Sequence, residues 1–174
     1  MKNRIAIVAI AATVALTGLA YVSNLAGATS PRVTSPPCAA ASLVAKRGPA
    51  NGTAGTIYYD LRLTNKGAAG CSLHVAVSAQ PVVGPAHTPV GPSSRKIALA
   101  GRGGIVTLAS HRGVANALYG VVEAGNYGAT QCGARNADGV VLTLGAHRYY
   151  FALPTQQVCA KLASTTIAGF APGP

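Results

Sequence analysis

The sequence predicts an all-β protein. Short β-branched or apolar runs alternate with Gly, Pro and Asn, and no stretch keeps a helical period over about 12 residues. Four cysteines follow an N-terminal export signal, which indicates an oxidising compartment and disulfide bonds. About seven or eight short strands with frequent turns are typical of an antiparallel immunoglobulin-like β-sandwich.

The first 28 residues have the pattern of a signal peptide. Lys2 and Arg4 form a positive start, Ile5 to Val22 is almost entirely apolar, and Ala26 to Ala28 is a small-x-small cleavage motif. The alternative is an uncleaved membrane anchor, since the apolar run approaches the roughly 20 residues that a spanning helix needs. The protein is therefore expected to be secreted or extracytoplasmic, with membrane tethering only if this segment is retained.

Residues 29–37 (TSPRVTSPP) are rich in Pro, Ser and Thr and predict an extended tether. The remaining residues, 38–174, have the length of one ordinary domain. Without Lys2 and Arg4 the chain keeps 12 basic side chains against three acidic ones, a net charge of +9. Such a charge attracts polyanions generically, but the basic residues are dispersed, so specific nucleic-acid binding is not expected.

The cysteines, Cys38, Cys71, Cys132 and Cys159, include no C-x-x-C spacing, which excludes a zinc knuckle or a redox pair of that type. Three pairings are possible. We predict Cys38 with Cys71 and Cys132 with Cys159, which confines each bond to one half of the chain. Each bond would stabilise the fold by roughly 3 to 4 kcal/mol in the chain-entropy model.

The first clear strand is Thr56 to Thr64, because apolar and polar residues alternate along it. Tyr59 and Leu61 are expected to face the core, with Tyr58 and Arg62 on the opposite face. Asn65 to Gly67 supplies a turn. The other predicted strands are Cys71–Val77, Ile97–Leu99, Ile105–Leu108, Val114–Val122, Val140–Leu144, Tyr149–Leu153 and Thr165–Phe170. Turns are predicted at Gly101–Gly104, as a hairpin between its flanking strands, and at Ser110–Gly113 and Asn136–Gly139. The Pro-rich segment Pro81–Ser94 is predicted to be a long loop or an irregular edge.

No catalytic, cofactor or metal site is predicted, so an enzyme is not expected. Glycosidase chemistry needs two carboxylates, and the chain has only Asp60, Glu123 and Asp138. Asp60 faces outward on a strand and Asp138 belongs to an Asp-Gly turn, which leaves Glu123 as the one carboxylate without a structural explanation. The four histidines are far apart, and there is no G-x-S-x-G motif.

Two tyrosine doublets provide a weak sign of a binding surface. Alternation turns one member of each doublet outward, Tyr58 beside Arg62 and Tyr150 beside Arg148. Exposed tyrosine and arginine are favoured at interfaces. Tyrosine also has a high β propensity, which explains the doublets without a binding role.

The chain also resembles the exported bacterial family known as domain of unknown function 4232. The resemblance covers about Cys38 to Pro174 and depends on the unit YDLRLTNKG at Tyr59–Gly67 followed by Cys71-Ser72-Leu73, on Thr107 to Gly113, and on Cys132, Cys159 and the ending FAPG. It implies a β-sandwich, export and frequent tethering to the cell envelope, and it supplies no activity. The sequence departs from the family pattern after Leu73.

The expected function is a non-enzymatic binding or scaffolding module at the cell envelope. Its partner would be an unknown envelope component, a protein or an anionic polymer. The alternative is an envelope hydrolase or a protein inhibitor that acts through the Pro-rich loop Gly84 to Ser94, since loops carry function on rigid scaffolds.

Overall fold

A computed structural model describes residues 35–73 and 77–174 of the chain. The predicted signal peptide and most of the predicted tether lie outside the described residues. The elements are β1 (Leu43–Thr53), β2 (Thr56–Asn65), β3 (Cys71–Leu73), β4 (Val77–Val83), β5 (Thr88–Pro89), β6 (Arg95–Ile97), β7 (Val106–Leu108), β8 (Val114–Val122), α1 (Ala129–Cys132), β9 (Ala134–Leu144), β10 (His147–Cys159) and β11 (Thr165–Pro172). Two 3-10 turns lie at Ala40–Ser42 and Ala124–Asn126. The all-β prediction is confirmed.

The strands form three sheets. A five-stranded sheet has the order β1-β2-β8-β11-β6, a four-stranded sheet has the order β10-β9-β4-β5, and β3 pairs with β7. All pairs are antiparallel except β11 with β6. Within the described ranges, no helix is long and apolar enough to cross a membrane.

The five-stranded and four-stranded sheets contribute to one hydrophobic core. Leu61 and Tyr119 from the first sheet and Leu142 and Phe151 from the second belong to the same cluster, and each is at most 2% exposed. Burying such side chains supplies most of the favourable free energy of folding. A smaller hydrophobic cluster consists of Ala124, Cys132 and Cys159.

Both predicted disulfides are confirmed. Cys38 bonds to Cys71 in β3, and Cys132 at the end of α1 bonds to Cys159 at the end of β10. The chain just before Cys38 is also attached, because the Ser72 N–H donates to Pro36 O at 2.7 Å and the Ser72 hydroxyl donates to Ser35 O at 2.8 Å. The last residues of the predicted tether therefore contact the domain.

The predicted alternation in β2 is confirmed. Tyr59 is 3% exposed and Leu61 is fully buried, whereas Tyr58 and Arg62 lie half-buried on the opposite face. β2 has a hydrogen-bonded neighbour on each side, β1 and β8, and their side chains cover part of the outer face.

The predicted hairpin around Gly101–Gly104 is wrong. β6 pairs in parallel with β11, and β7 pairs with β3, so the two strands do not pair with each other. The intervening loop instead lies against β8 and β11. The Gly103 N–H donates to Phe170 O at 2.9 Å, and the Arg102 guanidinium donates to Asn116 O at 2.9 Å. A glycine cluster indicates a bend, but it does not specify which strands the bend connects.

The predicted turn at Asn136–Gly139 is also wrong, because these residues belong to β9. Asp138 does not shape a turn. Its carboxylate accepts the Gly84 N–H from the end of β4, at 3.1 and 3.2 Å. This tertiary hydrogen bond gives the Asp-Gly pair a role that its local turn propensity does not predict.

The Pro-rich segment Pro81–Ser94 is more regular than predicted, because Pro81 to Val83 continue β4 and Thr88–Pro89 form β5. Pro81 O accepts the Val90 N–H at 2.8 Å, on the β5 side of the strand. The N–H and C=O of one strand residue point the same way, so the donor that proline lacks would also face that edge. The ladder between β4 and β9 is therefore not interrupted.

Several strand boundaries differ from prediction. β6 spans Arg95–Ile97 rather than Ile97–Leu99, and β10 spans His147–Cys159 rather than Tyr149–Leu153. The strand predicted at Cys71–Val77 is described as β3 and the start of β4, and residues 74–76 between them lie outside the described ranges. β1 has no strand prediction, because Gly48-Pro49 interrupts its pattern. In the structure, the pairing of β1 with β2 shifts register between Arg47 and Ala50, where Gly48-Pro49 lies.

Candidate functional site

The structure separates the four predicted surface residues into two pairs. Tyr58 and Arg62 lie on the outer face of the five-stranded sheet, whereas Arg148 and Tyr150 lie on the outer face of the four-stranded sheet. The core side chains Tyr59 and Phe151 lie on the opposite faces of the same strands. One continuous stripe across all four residues is therefore not formed.

The first pair is largely occupied with covering its own sheet. Tyr58 lies over Gly120, its cross-strand partner on β8, where a Cβ atom would come within 2.9 Å of the ring. Arg62 lies across Gly48 of β1, and its guanidinium is 3.6 Å from the Asp60 carboxylate. These contacts leave little of either side chain free for a partner, although Arg62 Nε is buried without a hydrogen-bond acceptor among the described residues.

The second pair is more available. Tyr150 is 36% exposed and lies over Gly139 of β9, where a Cβ atom would collide with the ring. The imidazole of His87 stacks on the phenol, with ring centroids 3.9 Å apart and an interplanar angle of 14°. Offset and parallel ring contacts of this kind stabilise by about 0.5 to 1.5 kcal/mol beyond their buried area.

Two buried valines lie on the same face of the sheet as Tyr150. Val82 and Val141 are 0% and 3% exposed, yet neither belongs to the main core. They lie on the outer face of the sheet, because the core residues Ala79 and Val140 alternate with them along β4 and β9. Their cross-strand partners on this face are Pro89 for Val82 and Tyr150 for Val141.

The loop that carries His87 is held at both ends. The Gly84 N–H donates to Asp138, and the Val90 N–H donates to Pro81 O. Between these anchors His87 has a left-handed backbone with φ of 50°, and its N–H donates to Gly84 O at 3.0 Å. A non-glycine residue in this region is uncommon, and the surrounding hydrogen bonds maintain the conformation.

The second half of the loop is bound to the same sheet through Gln80 of β4. The Gln80 amide donates to Gly91 O at 3.0 Å and accepts the Ser93 hydroxyl at 2.8 Å. Ser94 shares a hydrogen bond with Thr165 at 2.8 Å. Both loop serines thus have structural partners.

Together these residues form an open groove of about 480 Å³, lined by Ala86, His87, Pro89, Val141, Arg148 and Tyr150. We call it the Tyr150 groove. Its lining combines aromatic and proline surfaces with one exposed cation and contains no carboxylate. Arg148 has no ion-pair partner in the described part of the chain. A guanidinium can donate two parallel hydrogen bonds to a carboxylate or phosphate, while the rings supply apolar contact area.

The histidines do not converge. His87 contacts Tyr150, His111 has φ of 60° in the turn before β8, His147 begins β10, and His74 lies outside the described residues. Over the described residues, no group of three or more His, Cys, Asp or Glu could hold a metal ion.

Three tyrosines on the inner faces of the sheets have pKa values raised above the ordinary value. Burial raises the pKa of Tyr119 well above its ordinary value of 10.0, and hydrogen bonds to Thr165 and Ser94 offset part of the rise. Burial likewise raises the pKa of Tyr59 and of Tyr149. The phenolate form is disfavoured because the interior solvates charge poorly.

The Tyr150 groove brings together residues from two separate sequence-based predictions, the outward tyrosine of the second doublet and the Pro-rich loop. Sequence reasoning missed their contact, because Tyr150 and His87 are far apart in the chain. The sequence feature that could have indicated a contact here is Gly139, because a glycine inside a strand often marks the close approach of another group. No family model, curated protein or solved structure matches the chain.

Proposed function

We propose that this protein is an exported, non-enzymatic binding or scaffolding module of the cell envelope, built as an immunoglobulin-like β-sandwich related to the domain of unknown function 4232 family. The Tyr150 groove is its binding surface. The observation that carries the proposal is the stack of His87 on Tyr150 beside the exposed Arg148, which has no ion-pair partner among residues 35–73 and 77–174. Rigid aromatic side chains next to an arginine are the composition of interface hot spots.

Two kinds of observation support the proposed extracytoplasmic location. Disulfide bonds persist in oxidising compartments, so Cys38–Cys71 and Cys132–Cys159 fit an extracytoplasmic protein. The sequence pattern of residues 1–28 supports export through a signal peptide.

The lining of the groove favours an acidic partner. It holds Arg148 and no carboxylate, and the whole chain carries a formal net charge of +11. A protein segment or wall polymer with carboxylate or phosphate groups would pair with Arg148 and place its apolar parts on Tyr150 and Pro89.

The test compares two arginines that carry the same charge. Purified protein is crosslinked to an envelope fraction at low and at raised salt, as Arg148→Ala, as Tyr150→Ala and as the control Arg95→Ala, which alters an exposed residue on β6 outside the groove. We expect Arg148→Ala and Tyr150→Ala to lose a crosslinked product that Arg95→Ala retains. Equal losses from both arginine variants, abolished by salt, would show generic charge attraction only.

A protein inhibitor is the second candidate. The loop from Gly84 to Ser94 is held by Asp138 and Gln80, and a loop that is rigid before binding loses little entropy on binding. Intact protein would then inhibit a protease at equimolar concentration, and Asp138→Ala would weaken the inhibition by freeing the loop. Slow cleavage of the loop without inhibition would reject this candidate.

A further inference from the structure

The outer edge of β10 has no partner strand in the described part of the chain. Its first half, residues 147–152, pairs with β9 without interruption. No backbone hydrogen bond joins these residues to any other described segment. A free strand edge is a template on which another chain can add a strand.

The backbone groups at this edge belong in part to the residues that form the Tyr150 groove. β9 and β10 are joined by a two-residue turn, so the flanking Leu144 and His147 form the first hydrogen-bonded pair of the hairpin. Hydrogen-bonded and non-hydrogen-bonded pairs then alternate along the ladder. The N–H and C=O groups of Arg148, Tyr150 and Ala152 therefore point away from β9, toward the free edge.

The other edges of the two larger sheets are less suited to an added strand. β5 and β6 are two and three residues long, and β5 contains Pro89. β1 has a register shift in its middle, where Gly48-Pro49 lies. Short strands, prolines and bulges are devices by which proteins block edge pairing. β10 has such a device only in its second half, where Pro154 lies in the register shift that follows Ala152.

A cavity beside the same edge provides space for the inward side chains of an added strand. It has a volume of about 350 Å³, and its lining includes Leu43 at the start of β1 and His147 and Tyr149 at the start of β10. β1 and β10 therefore do not close against each other at this point. A strand added to β10 would direct alternate side chains toward this cavity and toward the Tyr150 groove.

The distribution of charge favours a foreign strand over a second copy of this protein. Among the described edge strands of the two larger sheets, β1 carries Lys46 and Arg47, β6 carries Arg95 and Lys96, and β10 carries Arg148. The three acidic side chains of the chain lie on β2, on β9 and directly after β8 (Asp60, Asp138 and Glu123). None of them is on an edge strand, so pairing two copies edge to edge would bring like charges together, which destabilises a sheet.

We propose that the β10 edge at residues 147–152 binds an extended, acidic segment of a partner protein by adding it to the four-stranded sheet as a further strand. The inference rests on the Tyr150 groove being the binding surface, and it names the class of partner that occupies it. Backbone hydrogen bonds to Arg148, Tyr150 and Ala152 attach the segment, and one of its carboxylates pairs with the Arg148 guanidinium. A wall polymer without a peptide backbone lacks the alternating N–H and C=O groups that match this edge.

The test uses purified, disulfide-intact protein and the capped peptide VEVTVE, with the charge-reversed peptide VKVTVK as control. Amide hydrogen exchange is followed by NMR. At saturation, VEVTVE should slow exchange of the Arg148, Tyr150 and Ala152 N–H groups by about tenfold or more, because they become hydrogen-bonded. The Tyr149 and Phe151 N–H groups already face β9 and should change little. Absence of added protection, or equal protection by VKVTVK, would overturn the proposal.

N-methylated peptides separate backbone pairing from attraction between side chains. One version of VEVTVE is methylated on the backbone nitrogens of its valines, and the other on those of its glutamates and threonine. Only every second N–H of an added strand points toward β10. We expect one version to lose the protection of the β10 edge and the other to retain it. Similar behaviour of the two versions would rule out strand addition.

Matched arginine variants connect the added strand to the Tyr150 groove. Arg148→Ala should weaken VEVTVE binding about tenfold, the usual effect of losing a charge-assisted hydrogen bond. Arg95→Ala removes the same charge from the edge strand β6 and should leave the affinity unchanged. Equal weakening by both variants would show attraction to net charge and overturn the assigned site.

The remaining outcomes distinguish this inference from the proposed function. If VEVTVE gives no protection while an envelope product still depends on Arg148, the groove binds a partner without strand addition, and only the inference fails. If protection by VEVTVE is unaffected by Arg148→Ala and Tyr150→Ala, the groove is not the recognition surface, and the proposed function fails as well. Protection that rises with protein concentration in the absence of peptide would identify a second copy as the occupant and overturn the acidic partner.

Discussion

The two tyrosine doublets, Tyr58-Tyr59 on β2 and Tyr149-Tyr150 on β10, obey the same alternation but have different surroundings. β2 is an interior strand between β1 and β8, whereas β10 is an edge strand paired only with β9. The inward Tyr59 is 3% exposed, while the inward Tyr149 is only partly buried. Alternation thus determines which way a side chain faces. Burial also depends on the place along the strand, because Phe151, the next inward residue of β10, is 2% exposed.

The outward members differ in the same way. Both Tyr58 and Tyr150 lie over a glycine on a neighbouring strand, Gly120 and Gly139. Tyr58 is surrounded by side chains of its own sheet, whereas the ring stacked on Tyr150 comes from the loop residue His87. The edge strand therefore leaves an aromatic surface open to a partner, and the interior strand does not.

The largest expected change in the free energy of unfolding comes from truncating the inward tyrosines, and it should differ between the two. Tyr59→Ala should lower the free energy of unfolding by about 3 to 5 kcal/mol, because it empties a fully packed site in the core. Tyr149→Ala should cost less, about 1 to 3 kcal/mol, because part of that ring already contacts water. Urea denaturation of both variants measures the difference, and a larger loss for Tyr149→Ala would contradict the edge-strand argument.

A smaller effect tests the two glycines beneath the outward rings. Gly120→Ala and Gly139→Ala should each cost about 1 to 3 kcal/mol, because the new methyl group forces a tyrosine ring to move. In a double-mutant cycle, Tyr150→Ala should remove most of the cost of Gly139→Ala, since the three atoms nearest to the new methyl group all belong to Tyr150. For Gly120 the rescue by Tyr58→Ala should be incomplete, because the Thr166 hydroxyl also lies 2.5 Å from the Cβ position. Additive costs at Gly139 would show that Tyr150 does not contact it in solution.

The inward tyrosines also predict an alkaline loss of stability. Burial raises the pKa of Tyr119, Tyr59 and Tyr149 above 10.0, so the unfolded state releases these protons first. Their contribution is fully present below about pH 10 and is lost as the pH rises toward the folded-state pKa values. Tyrosinate absorbance, followed together with circular dichroism, should show these three side chains ionising only with the cooperative alkaline unfolding transition. Their ionisation while the fold stays intact would contradict this expectation.

The smallest effect on stability is expected at the arginines. Arg148→Ala should change the free energy of unfolding by no more than about 0.5 kcal/mol, since its side chain is exposed and forms no ion pair within the described ranges. Arg62→Ala should cost about 1 kcal/mol, because its side chain is half-buried against Gly48 and near Asp60. Thermal or urea unfolding would measure both, and an Arg148 variant less stable than the Arg62 variant would assign Arg148 a structural role.

Local patterns predicted much of the fold because the interactions behind them are local. The alternation from Thr56 to Thr64 depends only on neighbouring residues, and the structure confirms its inward and outward faces. The disulfide pairs also followed from short separations along the chain, 33 and 27 residues. The chain bends at Gly101–Gly104 as predicted, but the flanking strands pair with distant strands instead of with each other. At Asn136–Gly139 the turn residues instead belong to β9, because pairing with distant strands overrides their local preference.

By itself, the sequence determined the all-β class and the facing of the two tyrosine doublets, because strand period is a property of the chain alone. It left three disulfide pairings possible, and the predicted one is present in the structure. Only the tertiary structure decided that β10 lies at a sheet edge and that His87 stacks on Tyr150. These contacts join residues far apart in sequence, and they depend on which strands pair. Strand order is set by burying all the apolar faces together, which no single segment can specify.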